Sequence, residues 1–257
     1  MAKKMMVVGD KFYEFAKGKN AVTVSQLELI TQIPANIIDG KSEFFPGQGI
    51  RDDFLQKIFE NQEKNKHHNN NIDLSGLRMS VEKNTYSHKF VSSNTLIGRC
   101  SQLAENSFSL PLLIDERCEL MADHQTGQHV QGMLLVEACR QTFIAVTEEF
   151  YMGDKVNSSY YVINNMNIDF SNFLFPLPAT IHYELMEKDI NERRARFKAN
   201  VSILQNKLLC SSMSVSFTVY PSEVINAKES EMASATASAI LNALNNDSYA
   251  ERGAMHV

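Results

Sequence analysis

The alternation of polar and apolar positions predicts its clearest element between residues 130 and 150, VQGMLLVEACRQTFIAVTEEF. The run has no proline, and its single glycine stands near its start. It is apolar on most sides at helical spacing, which predicts a long, mostly buried helix. Downstream the period changes to two. Ala195, Phe197, Ala199, Val201 and Ile203 alternate with Arg194, Arg196, Lys198, Asn200 and Ser202. Met213, Val215, Phe217 and Val219 alternate in the same way with Ser212, Ser214, Ser216 and Thr218. Both runs predict half-buried strands. Gln205-Asn206-Lys207 between them predicts a tight turn, because asparagine tolerates positive φ. Tyr160 to Phe175 and Ala179 to Met186 predict two further strands, separated by Pro176 and Pro178. Phe90 to Ile97 and Phe108 to Ile114 predict additional strands or connections upstream. This order predicts an α+β fold in which an antiparallel sheet wraps one central helix.

The flanks are patterned differently. Residues 1–75 mix short apolar segments with turn signals and predict an N-terminal extension of short helices. Ser25 followed by Glu28 suggests a capping box for a helix that Pro34 stops. Phe54, Leu55, Ile58 and Phe59 form one helical stripe. Residues 61–71, NQEKNKHHNNN, are polar and of low complexity, and predict a linker. His67 and His68 in that stretch lack a fixed third ligand, so a metal site is not expected. Residues 80–220 carry the main fold pattern. Residues 221–257 are rich in alanine and serine and predict a helical tail around 230–244 packed on the domain, with a frayed end.

Composition narrows the function classes. The chain has 257 residues, 25 Lys plus Arg against 30 Asp plus Glu, and a formal charge of −5. Nucleic acid is therefore not the expected partner, since phosphate binding requires clustered positive charge. No apolar run approaches the ~18 residues of a membrane span, and Met5 to Val8 is too short for the apolar core of a secretion signal. The four cysteines, Cys100, Cys118, Cys139 and Cys210, have no short spacing. They predict free thiols in a reducing cytoplasm.

The chemistry concentrates where a polar loop runs into the buried helix, at Asp123-His124-Gln125-Thr126-Gly127-Gln128-His129-Val130-Gln131-Gly132. At about 100° per residue, Glu137, Arg140 and Gln141 share one helical face, and Glu148 projects onto it. Two readings stand. The face is a solvated polar stripe with an i,i+3 ion pair worth a few tenths of a kcal/mol, or it is a pocket wall. Met133, Leu134 and Ile144 lie on the same face and favour the second, because a buried carboxylate must find partners or stay unionised. Cys139 lies opposite and predicts a packed core thiol. The basic strand face of Arg194, Arg196 and Lys198 is either solvated or a docking strip for an acidic carrier protein. Gly47-Gln48-Gly49 lacks the context of a phosphate loop.

The stretch resembles the signature of the A-factor biosynthesis hotdog family, proteins of γ-butyrolactone signal synthesis, whose pattern runs approximately DHPxDHVPGMLLxEAxRQ. Asp123, His124, His129, Val130, Gly132, Met133, Leu134, Leu135, Glu137, Ala138, Arg140 and Gln141 keep it; Gln125, Gln128 and Gln131 depart from it. His88-Lys89 with Asn94 to Ile97, Ile168 to Phe173 before Pro178, and Gln205 before a hairpin resemble the family's flanking elements. The resemblance spans about 85–220.

It implies a hotdog fold, related to that of the β-hydroxyacyl-carrier-protein dehydratases. Family members usually carry two hotdog units, whereas this chain has one signature, so a homodimer is implied. Stepping back from Glu137 by the dehydratase His–Glu spacing lands on Asp123, with His124 adjacent, so the dehydratase pair is not preserved. The activity implied is an acyltransferase moving a β-ketoacyl group from acyl carrier protein to the hydroxyl of dihydroxyacetone phosphate, in secondary metabolism and quorum-sensing signal synthesis. Glu137 would be base or hydroxyl orienter and Arg140 would bind phosphate or oxyanion. His129 or His124 would assist, and backbone N–H groups near Gly132 would hold the carbonyl oxygen. Asp123 and Gln141 would complete substrate binding. The bland alternatives are loop histidines bonded to backbone, and a Gly132 that only permits close packing. No metal or cofactor is implied. The competing functions are a dehydratase or thioesterase acting on acyl-carrier-protein or acyl-CoA thioesters, and a non-catalytic acyl-binding module.

Overall fold

A computed structural model describes residues 2–33, 40–64, 71–78, 81–123, 126–153 and 159–253. The N-terminal region is more than an extension of short helices. Strand β1 (Lys3–Val8), helix α1 (Tyr13–Ala16), β2 (Ala21–Thr23), α2 (Val24–Gln32), β3 (Ser42–Pro46), α3 (Asp52–Lys64) and β4 (Ile72–Asp73) build a parallel sheet of order β2-β1-β3-β4. Its core is Val7, Val24, Leu27, Phe44, Ile58 and Leu74, all nearly inaccessible. The capping box of α2 is Thr23 with Gln26, not Ser25 with Glu28: the Thr23 hydroxyl accepts from the Gln26 backbone and the Gln26 side chain accepts from the Thr23 N–H. The helix starts earlier because Thr23 has the extended backbone a cap needs, while Ser25 is already helical and its hydroxyl donates to Asp10 instead. The stripe read at Phe54, Leu55, Ile58 and Phe59 lies on α3, whose C-terminal turn extends into the stretch read as a linker. Pro34, His67, His68 and the rest of that stretch up to 70 lie outside the described residues.

The second unit contains β5 (Ser101–Ala104), β6 (Ser107–Pro111), α4 (Gly132–Thr147), β7 (Ser159–Phe170), β8 (Thr180–Ile190), β9 (Ala195–Gln205) and β10 (Leu208–Pro221). The strands form one antiparallel sheet of order β5-β6-β8-β9-β10-β7, and α4 lies against it. The alternation along β9 and β10 turns Val201, Ala199 and Phe197 inward, opposite Met213, Val215 and Phe217. Asn206 and Lys207 close the hairpin between them, both with left-handed φ, the geometry of a two-residue turn. Phe143 of α4 stacks on Phe217 with ring centroids 4.6 Å apart. Leu134, Leu135, Phe143, Ile144 and Val146 of α4 are buried. At about 2 kcal/mol each, their burial amounts to roughly 10 kcal/mol. The apolar faces, not the polar stripe, therefore set where this helix sits.

Of the two readings of Phe90 to Ile97, strand or connection, the structure shows a connection. It forms a short 3₁₀ turn and an isolated bridge at Ile97, and the Asn94 carbonyl and the Leu96 N–H bond to the Gln141 side chain of α4. The reading of the C-terminal tail needs correction. The C-terminal helix α5 (Ser222–Gly253) is longer than the 230–244 reading and does not pack closely on the domain. Met232, Ile240, Leu241 and Leu244 are more than half exposed.

Candidate active site

The polar face of α4 is a built cluster. The Arg140 Nε and Nη2 donate to the two oxygens of Glu137 at 2.7 and 2.8 Å. Lys89 Nζ, from the segment laid over the helix, lies 2.9 Å from Glu137 Oε1. Gln141 Nε2 donates to the same oxygen at 3.0 Å. Gln141 is itself fully buried, donating to the Asn94 carbonyl and accepting from the Leu96 N–H. Burial alone would raise the Glu137 carboxyl. The hydrogen bonds from Arg140, Lys89 and Gln141 outweigh it and hold the group at about 2. Glu137 is therefore a fixed anion at neutral pH, and Arg140 and Lys89 keep 29% and 27% of their side chains exposed beside it.

About 16 Å further along the helix axis, a second pair meets the same face. His88 Nε2 lies 2.6 Å from Glu148 Oε1. Glu148 is 2% exposed and the imidazole 40%, so the carboxylate is hidden behind an accessible histidine. His88 holds a left-handed backbone, φ 54°, which non-glycine residues adopt only where their surroundings impose it. The Tyr161 ring meets the imidazole edge-on, and the buried Tyr161 hydroxyl has no hydrogen-bond partner among the described residues. Burial and the Glu148 charge push that phenol well above its ordinary range.

Glu137, Arg140 and Gln141 thus come together as their spacing suggested. Gly132 lies earlier on α4, where a Cβ would sit 3.1 Å from the Phe170 ring, so close packing is one reason for the glycine there. The first turn of α4 has no side-chain cap from Gln131. His129 precedes the helix, with Nδ1 3.3 Å from the Thr126 hydroxyl and its ring tilted against Phe173. Asp123 is exposed in the loop, and His124 lies outside the described residues. Cys139 is buried and its thiol is pushed up to about 12 by burial. Arg196 and Lys198 face acidic positions across the strand pair: Arg196 sits opposite Asp189, and Lys198 pairs with Glu187 at 2.8 Å.

A family model for the A-factor biosynthesis hotdog domain matches residues 74–221. The chain belongs to that family. No curated protein matches the sequence. Among solved structures, this hotdog protein is similar to a thioesterase from Haemophilus influenzae, 12% identical, over 49% of this chain and 79% of that one, with a TM-score of 0.36. It is also similar to a mutant thioesterase from Pseudomonas aeruginosa, 13% identical, over 49% of this chain and 81% of that one, with a TM-score of 0.36.

Lys89 and the His88–Glu148 pair had no assigned role in the sequence. Their signal was present but indirect: a histidine and a lysine side by side in a flank that resembled the family pattern, and a second glutamate on the polar face of a buried helix. Only the crossing of residues 86–97 over α4 shows which carboxylate each one meets.

Proposed function

We propose that this hotdog protein is an acyltransferase that moves a β-ketoacyl group from an acyl carrier protein thioester to the hydroxyl of a small phosphorylated acceptor such as dihydroxyacetone phosphate. One observation carries this reading: Arg140 and Lys89 converge on the single carboxylate of Glu137, leaving one net positive charge at a partly accessible surface. A permanent guanidinium there suits a phosphate or a developing oxyanion. Glu137, held as an anion, orients the two cations and the acceptor hydroxyl; it does not take the proton. His129 or His124, in the loop that leads into the helix, accepts it. The acceptor oxygen attacks the thioester carbonyl, the C–S bond breaks, and the proton goes to the departing thiolate. The uncapped first turn of α4 at Gly132 holds the carbonyl oxygen, with Gln141, Asp123 and His124 completing the surroundings.

The active form is a homodimer joined along β7, the edge strand, on which Met166 and Phe170 are exposed. Its setting is the cytoplasm, where free cysteines persist. A second reading, thioester hydrolysis, is favoured by the His88–Glu148 pair, since a carboxylate-held imidazole activates water as readily as an alcohol. The test mixes purified protein with a β-ketoacyl thioester and dihydroxyacetone phosphate and follows products by mass. Phosphorylated ester that disappears in Arg140→Ala supports transfer. Released acid without ester moves the protein to the thioesterase class.

A further inference from the structure

A sizeable cavity lies away from α4. It has a volume of approximately 980 Å³ and lies between α3 of the N-terminal unit and residues 111–115 of the hotdog unit. Neither α4 nor residues 86–97 contribute to its lining. Its position follows from topology. In the order β2-β1-β3-β4 the chain leaves β1 to one side for β2 and to the other for β3. Such a reversal in a parallel sheet opens a crevice at the carboxyl ends of the strands.

Here the hotdog unit fills the middle of that crevice. Gly49 N donates to the Ile114 carbonyl, and Gln48 clamps the same segment by donating to the Leu112 carbonyl and accepting from the Ile114 N–H. What remains open is the β3–α3 side, walled by Leu55, Phe59, Leu77, Val81 and Leu113. Its lining carries four acidic side chains, Asp52, Glu60, Glu63 and Asp115, against three basic ones, Lys64, Arg78 and Lys83. Arg78 lies over the Phe59 ring at 4.5 Å and 3.7 Å from Glu63. Lys83 stands 3.9 Å from Asp115, and Glu60 accepts from Gln56. The apolar wall is extensive, and the lining charges nearly balance with a slight acidic excess, so nothing there calls for an anionic head group.

We propose that this cavity is a second ligand site, for an uncharged small molecule with an apolar alkyl or aryl body. Its volume lies at the upper end of the 300–1,000 Å³ range typical of small-molecule sites. The assignment does not depend on the acyl-transfer reading, because it uses no residue of the α4 face.

The test uses N-phenyl-1-naphthylamine, a neutral fluorescent probe, and its sulfonated analogue 1-anilinonaphthalene-8-sulfonate, which differs by one negative charge. Saturable one-to-one binding of the neutral probe is expected, with the sulfonate weaker by at least about tenfold. Val81→Trp and Gln56→Trp narrow the mouth from opposite sides at exposed positions. Each should weaken the neutral probe by about tenfold without lowering the thermal midpoint, whereas Arg140→Ala should leave binding unchanged. No saturable binding, or binding insensitive to both tryptophans, would overturn the site. Tighter binding of the sulfonate would overturn the uncharged occupant.

Discussion

At the scale of single residues, the account turns on Glu137 as a fixed anion. Its folded value of about 2 lies below the ordinary 4.5. A depressed carboxylate contributes stability that is complete above its unfolded value and is lost as pH falls through the folded one. Unfolding free energy should therefore decline between about pH 5 and pH 2 by an amount on the order of 3 kcal/mol from this group. Chemical denaturation across that window, compared with Glu137→Gln, checks it; equal slopes in the two proteins would remove Glu137 from the account. Glu148 makes a second prediction. Replacing His88 by Ala leaves a carboxylate that is 2% exposed without its partner, which should cost about 3 kcal/mol. His88→Gln, which can still donate, should cost far less. Glu137, Arg140 and Gln141 were legible in the sequence because helical spacing alone puts them on one face. Lys89 and His88 were not, because no periodicity links residues 88–89 to 137 and 148; only tertiary packing does.

At the scale of elements, alternation made β9, β10 and their turn readable, since each strand buries one face only. The N-terminal strands were not readable. β2 and β4 are very short, and β2 is buried throughout, so they show no period of two. Gly47-Gln48-Gly49 looked uninformative as a motif, and the structure gives these glycines a packing role. A Cβ on Gly9 would stand 2.3 Å from the Gly49 carbonyl oxygen, and one on Gly47 would stand 2.5 Å from the Pro176 carbonyl oxygen. Backbone cannot swing aside as a side chain can. Gly9→Ala should therefore destabilise by roughly 3 kcal/mol or more, seen as a lower thermal midpoint. An unchanged midpoint would mean that the Gly9 and Gly49 backbones do not approach as described.

At the scale of the whole molecule, a small parallel α/β unit is clamped to a hotdog unit whose edge strand β7 pairs only with β10 among the described residues. The hotdog unit was legible because its signature and its alternating strands fall in one stretch. The parallel unit was not, because its sheet is assembled from brief strands separated by helices. If β7 joins two copies, light scattering should give twice the 29.0 kDa chain mass, and Met166→Lys at the exposed edge should shift it toward one. A wild-type monomer would refute the dimer. The central claim, a cationic cluster that receives an anionic acceptor, is tested most directly by acceptor competition. Ester formation would be measured with dihydroxyacetone phosphate and with unphosphorylated dihydroxyacetone, in wild type and in Arg140→Ala. The account predicts that wild type prefers the phosphorylated acceptor by about a hundredfold in kcat/KM, equivalent to about 3 kcal/mol, and that Arg140→Ala loses most of that preference. A preference that survives Arg140→Ala, or wild-type rates equal for both acceptors, would contradict it.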